Sequence, residues 1–193
     1  MLSIYLLAVM VLSFILQQII PGYTESLYFD PSTALSEPWT FVTSIFLHGG
    51  LMHLFFNGYA LFLFGSILER KVSKRDFLII FFVGGIIGSI VYYLTIVAGI
   101  APNVPALGAS GAIFAILGAV AVLLPNLRIF FFFFPMRMRE AAILWFIIEF
   151  LGTFNTSSGI ASAAHLGGLA FGVLYAYYLL RKQKEVLHPP WAY

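Results

Sequence analysis

Apolar positions along the chain fall into long runs separated by short polar or proline-rich breaks. A helix needs about 20 apolar residues to cross the bilayer core, within a range of roughly 17 to 25. Leu2–Ile20 meets that length, and Pro21-Gly22 ends it. Further runs follow at Leu51–Leu68, at the glycine-rich Phe77–Ile100, at Gly108–Leu124, at the shorter Arg139–Thr153 and at Ile160–Leu180. The breaks between them are Ala101–Leu107, with Pro102 and Pro105, then Pro125-Asn126, and the polar turn Asn155–Gly159. The run Phe130–Phe134, stopped by Pro135, suits the membrane interface. Tyr23–Gly50 is different. It holds Glu25, Asp30, Glu37, two prolines and many aromatics, and is too apolar for a free linker. A segment lying in the interface fits it better. The expected fold is an all-α membrane protein, a bundle of six transmembrane helices with a long, partly embedded first loop.

Composition supports this class. Of 193 residues, 61% are apolar and 9% charged, against about 25% charged in soluble domains. The length fits a single membrane domain over residues 1–193. There is no cysteine, so neither a disulfide framework nor a thiolate metal site is available. Leu2–Ile20 is too long for a signal-peptide core and lacks a basic leader and a small-residue cleavage site, so it is taken as the first span. The net charge of +2 says little, but its placement says more. Arg70, Lys71, Lys74 and Arg75 lie between spans two and three. Arg128, Arg137 and Arg139 lie between four and five, and Arg181, Lys182 and Lys184 follow span six. These are all ten Lys and Arg. With six spans, every one falls on the side shared by both termini, which the positive-inside rule makes cytoplasmic. The expected location is a multi-pass position in a prokaryotic plasma membrane, with lipid as surroundings and no nucleic-acid partner.

Ionisable or strongly polar groups inside spans are costly and are functional candidates. His53, Asn57, Glu149 and His165 are such groups. Spans two, four and six run in the same direction, from outside to inside. His53 and Asn57 lie one turn apart on one face near the outer end of span two. Ser110 opens span four within Gly108-Ala109-Ser110-Gly111, and His165 lies in the second turn of span six. At ~1.5 Å per residue, three helices bring polar groups to one depth. Small residues recur every fourth position at Ala164, Gly168, Gly172 and Ala176, and at Gly111, Ala115 and Ala119. Two such stripes let helices approach closely and set Ser110 beside His165. His165 as general base then takes the hydroxyl proton of Ser110. An oxyanion would be held by the backbone N–H of Ser110, by Asn57 and by His53. Taken singly, His53, Asn57 and His165 also fit a role as interhelical hydrogen-bonding glue.

These residues resemble the rhomboid intramembrane serine proteases. The matching pieces are His48-Gly49-Gly50-Leu51-Met52-His53 followed by Asn57, then Gly108-Ala109-Ser110-Gly111, then Ala164-His165-Leu166-Gly167-Gly168 with Gly172. They correspond to the family's H-x-x-x-N, G-x-S-G and A-H-x-x-G motifs, in family order, and Glu69-Arg70 looks like its Glu-Arg pair. The resemblance implies a catalytic dyad of Ser110 and His165 in a water-filled cavity, without a cofactor, a metal or a catalytic aspartate. It implies single-span membrane proteins as substrates, cut near the outer face. It also implies that span five and the Phe154–Gly159 loop form a lateral gate and cap. Two positions depart from the family. Trp39-Thr40 stands where a Trp-Arg pair is usual, and Phe114 stands where a tyrosine is common. Phe114 can still pack against His165.

Glu149 is open to three roles: a third member behind His165, a gate residue, or a buried acid kept neutral. The family pattern asks for no such acid. The rival functions are a pseudoprotease of the same fold that binds membrane clients, a transporter or channel, and a metal hydrolase using His48, His53 and His165. Both dyad residues are present, against the first. The polar groups sit at one depth with Glu149 their sole acid, against the second. His48 lies outside the span, against the third. His188 belongs to a solvated tail.

Overall fold

The computed structural model describes residues 1–131, 133–155 and 161–187. Six main helices account for most of the chain: α1 (Leu2–Ile19), α2 (Leu51–Glu69), α3 (Lys74–Val97), α4 (Ser110–Leu123), α5 (Met138–Thr153) and α6 (Ser162–Leu187). A further single helical turn covers Thr40–Thr43. Among the described residues, four helices are long and apolar enough to cross a membrane: Leu2–Ile19, Leu51–Glu69, Lys74–Val97 and Ser162–Gln183. Ser110–Leu123 is apolar but shorter, at 14 residues.

The helix ends follow local chemistry. α3 begins a turn before its apolar run because Ser73 caps it, accepting from the Asp76 N–H at 3.1 Å. α5 begins with a one-sided cap, in which the Arg137 backbone N–H donates to Glu140 Oε2 at 2.9 Å. α6 continues beyond Leu180 through the basic residues, which are good helix formers, to Leu187. α2 carries a wide π-helical turn at Leu61–Gly65. A Cβ at Gly65 would lie 3.1 Å from Ser3 Cβ, so the bare glycine lets the start of α1 come close. There the Ser3 N–H donates to Glu69 Oε1 at 2.5 Å, which sets the first turn of α1 beside the last turn of α2.

The all-α expectation needs one correction. The phenylalanine run forms a small antiparallel hairpin, β1 (Arg128–Phe131) with β2 (Phe134–Arg137), in which Arg128 pairs with Arg137. Aromatic residues favour strands, and Pro135 interrupts any helix that would run from the phenylalanines into α5. The hairpin exposes Phe130, Phe133 and Phe134, while Phe131 packs on Trp145 of α5 with ring centroids 5.2 Å apart.

α4 lies at the centre. Ten of its residues are buried, from Gly111 to Ala121. Its packing against α3 and α6 depends on missing side chains. A Cβ at Gly168 would overlap the Gly111 carbonyl, one at Gly172 the Ala115 carbonyl, and one at Gly84 the Ala115 Cβ. The small-residue stripes of α4 and α6 therefore meet backbone to backbone, as close helix approach in lipid requires. The outward surfaces of α1, α2, α5 and α6 carry exposed Leu, Ile, Val and Phe.

The segment between α1 and α2 is folded onto the rest. Phe29 is buried and pairs by backbone with Ala106, two bonds of 3.0 and 2.8 Å, which ties this segment to the loop leading into Ser110. Phe41 packs edge-on against Phe29 at 4.8 Å. Thr40, where the resemblance leads one to expect arginine, is buried and its hydroxyl donates to the Glu37 carbonyl at 2.7 Å. Most of the loop Phe154–Gly159 and all of the tail with His188 lie outside the described residues.

Candidate active site

Ser110 is the first residue of α4, and no side chain caps that end. The first-turn N–H groups of α4 thus keep their donor capacity, and the helix dipole adds positive potential there. The approach to Ser110 is set by Gly108. Its φ of +122° is open to glycine alone, and its N–H donates to the Ser44 carbonyl at 2.9 Å. A Cβ at Gly108 would stand 2.7 Å from His53 Cε1, so this glycine also makes room for the His53 ring.

His165 comes from the first turns of α6, where Gly168 and Gly172 press that helix onto α4. The result is a separation of 2.7 Å between His165 Nε2 and Ser110 Oγ. The phenyl ring of Phe114 lies flat on the imidazole, with centroids 4.4 Å apart and 5° between planes. That contact, one turn along α4 from Ser110, limits rotation of the base. Trp145 of α5 meets Phe114 and also Phe64 of α2, so three helices share one aromatic cluster below the pair.

His53 and Asn57 open onto the same cavity as Ser110 and His165, a space of about 890 Å³. The Gly49 N–H donates to His53 Nδ1 at 3.3 Å. With Nδ1 accepting, the proton of a neutral ring sits on Nε2, which is the nitrogen beside Gly108. Asn57 Nδ2 donates to the His53 carbonyl one turn back, at 3.0 Å. This uses one of its two N–H groups. Ser110 Oγ bonds to His165, while Asn57 and His53 bond within their own segment; the four side chains share one cavity.

The sequence gives no firm role to two further residues at the site. Gln17, near the end of α1, grips the backbone of His48. The His48 N–H donates to Gln17 Oε1 at 2.9 Å, and Gln17 Nε2 donates to the His48 carbonyl at 3.3 Å. This fixes the turn that leads into His53. Its signal in the sequence is the polar pair Gln17-Gln18 closing an otherwise apolar run. His48 itself is buried, and its ring meets that of His53 edge-on at 5.1 Å. Burial first, and His53 second, lower its pKa to about 4, so it is neutral at pH 7. The second residue is Glu149. Its Oε2 lies 3.0 Å from His165 Nδ1, on the far side of the imidazole from Ser110.

Fold and site together define a helical membrane protein with a serine–histidine pair set in a cavity. The family model described as the Rhomboid domain matches residues 35–182, and the chain belongs to the rhomboid family. It is an integral membrane protein. Similar proteins include the rhomboid protease GluP of Bacillus subtilis (strain 168), 38% identical over 144 residues, covering 74% of this chain and 26% of that protein. The putative rhomboid protease YdcA of the same organism is 33% identical over 174 residues, covering 86% of this chain and 82% of the relative. The mitochondrial presenilin-associated rhomboid-like protein of Bos taurus is 34% identical over 154 residues, covering 77% of this chain and 41% of the relative. The chain thus spans most of one of these relatives and less than half of the other two.

Proposed function

We propose that this chain is an intramembrane serine endopeptidase. The observation that carries the proposal is the 2.7 Å pairing of Ser110 Oγ with His165 Nε2 at an uncapped helix start that opens onto a cavity. In the first step Ser110 Oγ attacks a peptide carbonyl carbon while its proton passes to His165 Nε2. The carbonyl oxygen becomes an oxyanion, for which the Ser110 N–H, the second N–H of Asn57 and the His53 Nε2–H are the donors at hand. The C–N bond then breaks, His165 returns the proton to the leaving amine, and the acyl group stays on Ser110. Water, deprotonated by His165, releases it. The substrate is the membrane-spanning segment of a single-span protein, cut near the outer face. The likeness to two proteins named as rhomboid proteases or putative ones supports the same activity.

The proposal includes six spans over residues 1–193, with both termini in the cytoplasm of a prokaryote. Support comes from the ten basic residues on one side, and from YdcA, a Bacillus relative of similar length. Because the chain has no cysteine, single cysteines can test the orientation. Asn103→Cys is expected to react with an impermeant maleimide on intact cells, and Lys71→Cys only after permeabilisation. Reaction of Lys71→Cys in sealed cells would reverse the assignment.

The activity itself is tested with purified protein in detergent or bilayers. A fluorophosphonate probe is expected to modify Ser110 and no other residue, and a single-span model substrate is expected to be cut once near its outer end. A folded sample that neither takes the probe nor cuts any of a panel of such substrates would refute the assignment.

A further inference from the structure

We propose that Glu149 is a positioning residue for the dyad: its carboxylate, delivered by α5, orients the His165 ring and keeps the ring proton on Nδ1. This rests on the Ser110–His165 assignment above. The three groups lie in a row on two sides of one imidazole. Nε2 stands 2.7 Å from Ser110 Oγ, and Nδ1 stands 3.0 Å from Glu149 Oε2. The side chains of His165 and Glu149 are 10% and 12% exposed, so little water competes for the contact. Phe114 lies flat on the ring and leaves it one plane to occupy.

The chemistry requires a defined tautomer. Nε2 accepts the Ser110 proton only while the ring proton is on Nδ1. An unpartnered neutral imidazole has no reason to hold it there. A carboxylate 3.0 Å from Nδ1 gives one, and it also stabilises the imidazolium formed when Ser110 loses its proton. In the resting protein Oε2 lies off the Nδ1–H axis, so His165 Nδ1 makes no aligned hydrogen bond. Catalytic contacts in unliganded enzymes are often loose in this way and tighten in the substrate complex. The charged and titratable groups facing His165 among the described residues are Glu149 from α5 and His53 from α2. His53 gives its Nδ1 to Gly49 and does not serve as orienter. Glu149 is therefore the group placed to set the tautomer. It lies 16 positions before His165 and on another helix, so the alignment of the base depends on α5 being seated against α6.

The test compares the wild-type protein with Glu149→Gln and Glu149→Asp. Three readouts are taken: the rate of fluorophosphonate labelling at Ser110, kcat and KM on a single-span model substrate, and the ¹⁵N spectrum of histidine-labelled protein, with His165 assigned by its absence in His165→Ala. The wild-type ring is expected to carry its proton on Nδ1. Glu149→Gln is expected to lose this preference, to lower labelling rate and kcat by about 10²- to 10⁴-fold, and to leave KM within a fewfold. Glu149→Asp, which keeps the charge one methylene further back, is expected to fall between the two. A folded Glu149→Gln protein with wild-type labelling rate and tautomer overturns the proposal. So does a wild-type ring protonated on Nε2, whether or not the variant holds its fold. If the wild-type protein does not label at all but its tautomer still depends on Glu149, the protease assignment fails and the positioning role stands.

Discussion

Ser110→Ala and His165→Ala are each expected to abolish cleavage of a model transmembrane substrate, lowering kcat by about four to six powers of ten. The double variant is expected to be no worse than either single one. The reason is mechanical. Without Ser110 there is no acyl acceptor, and His165 then has no proton to take. Without His165 the hydroxyl is a weak nucleophile, since among the described residues His165 is the base bonded to it. Residues that act as one unit give non-additive losses, and independent contributors give additive ones. The two substitutions differ in their effect on the fold. Ser110 is partly exposed to the cavity, and removing its oxygen leaves α4 packed as before. His165 is buried under Phe114, so its truncation also removes a stacked ring. A lower melting temperature is therefore expected for His165→Ala and not for Ser110→Ala. Cleavage that survives in folded Ser110→Ala protein, free of other proteases, would exclude a serine mechanism at this site.

How much of this is legible in the sequence depends on which geometric quantity is asked for. Depth along a helix follows from counting residues, and the count alone sets Ser110, His53, Asn57 and His165 at one level. The stripes Gly111–Ala115 and Gly168–Gly172 also carry direction, because a helix face without side chains must be covered by another helix. That is enough to bring α4 onto α6. Azimuth is lost where no stripe marks it. Glu149 sits among Phe146, Ile147, Ile148 and Phe150, all exposed, and nothing in such a run says which way the acid turns. Its contact with His165 exists only once α5 is docked. The hairpin at Phe130–Phe134 is hidden for another reason. A run of five phenylalanines has no period, and only the pairing of Arg128–Phe131 with Phe134–Arg137 fixes it as two strands. Gln17 illustrates a third limit. A polar residue at a helix end normally meets water, and its grip on His48 depends on a segment 31 positions away.

Asn57→Ala is expected to lower kcat by roughly 10²- to 10³-fold while KM and the melting temperature change little. Two uses compete for this side chain. In the resting protein its amide donates to the His53 carbonyl within its own helix, a local bond of 3.0 Å. Losing such a bond costs about 1 kcal/mol of stability. The catalytic use is larger. One donor aimed at a developing oxyanion in a water-poor site contributes about 2.7 to 4 kcal/mol to the transition state, and next to nothing to the ground state. The effect on rate should therefore exceed the effect on stability, and should appear in kcat rather than KM. Asn57→Asp sharpens the comparison. It keeps the shape but replaces the donor with a carboxylate, which would face an oxyanion of the same sign, so its loss of rate is expected to exceed that of Asn57→Ala. His53→Ala differs again, because the ring also receives the Gly49 N–H and fills the space at Gly108. It is expected to lose both rate and melting temperature. If Asn57→Ala cleaves at the wild-type rate, or loses activity only in proportion to its folded fraction, then Asn57 serves the packing of α2 and the oxyanion is held by the Ser110 N–H and His53 alone.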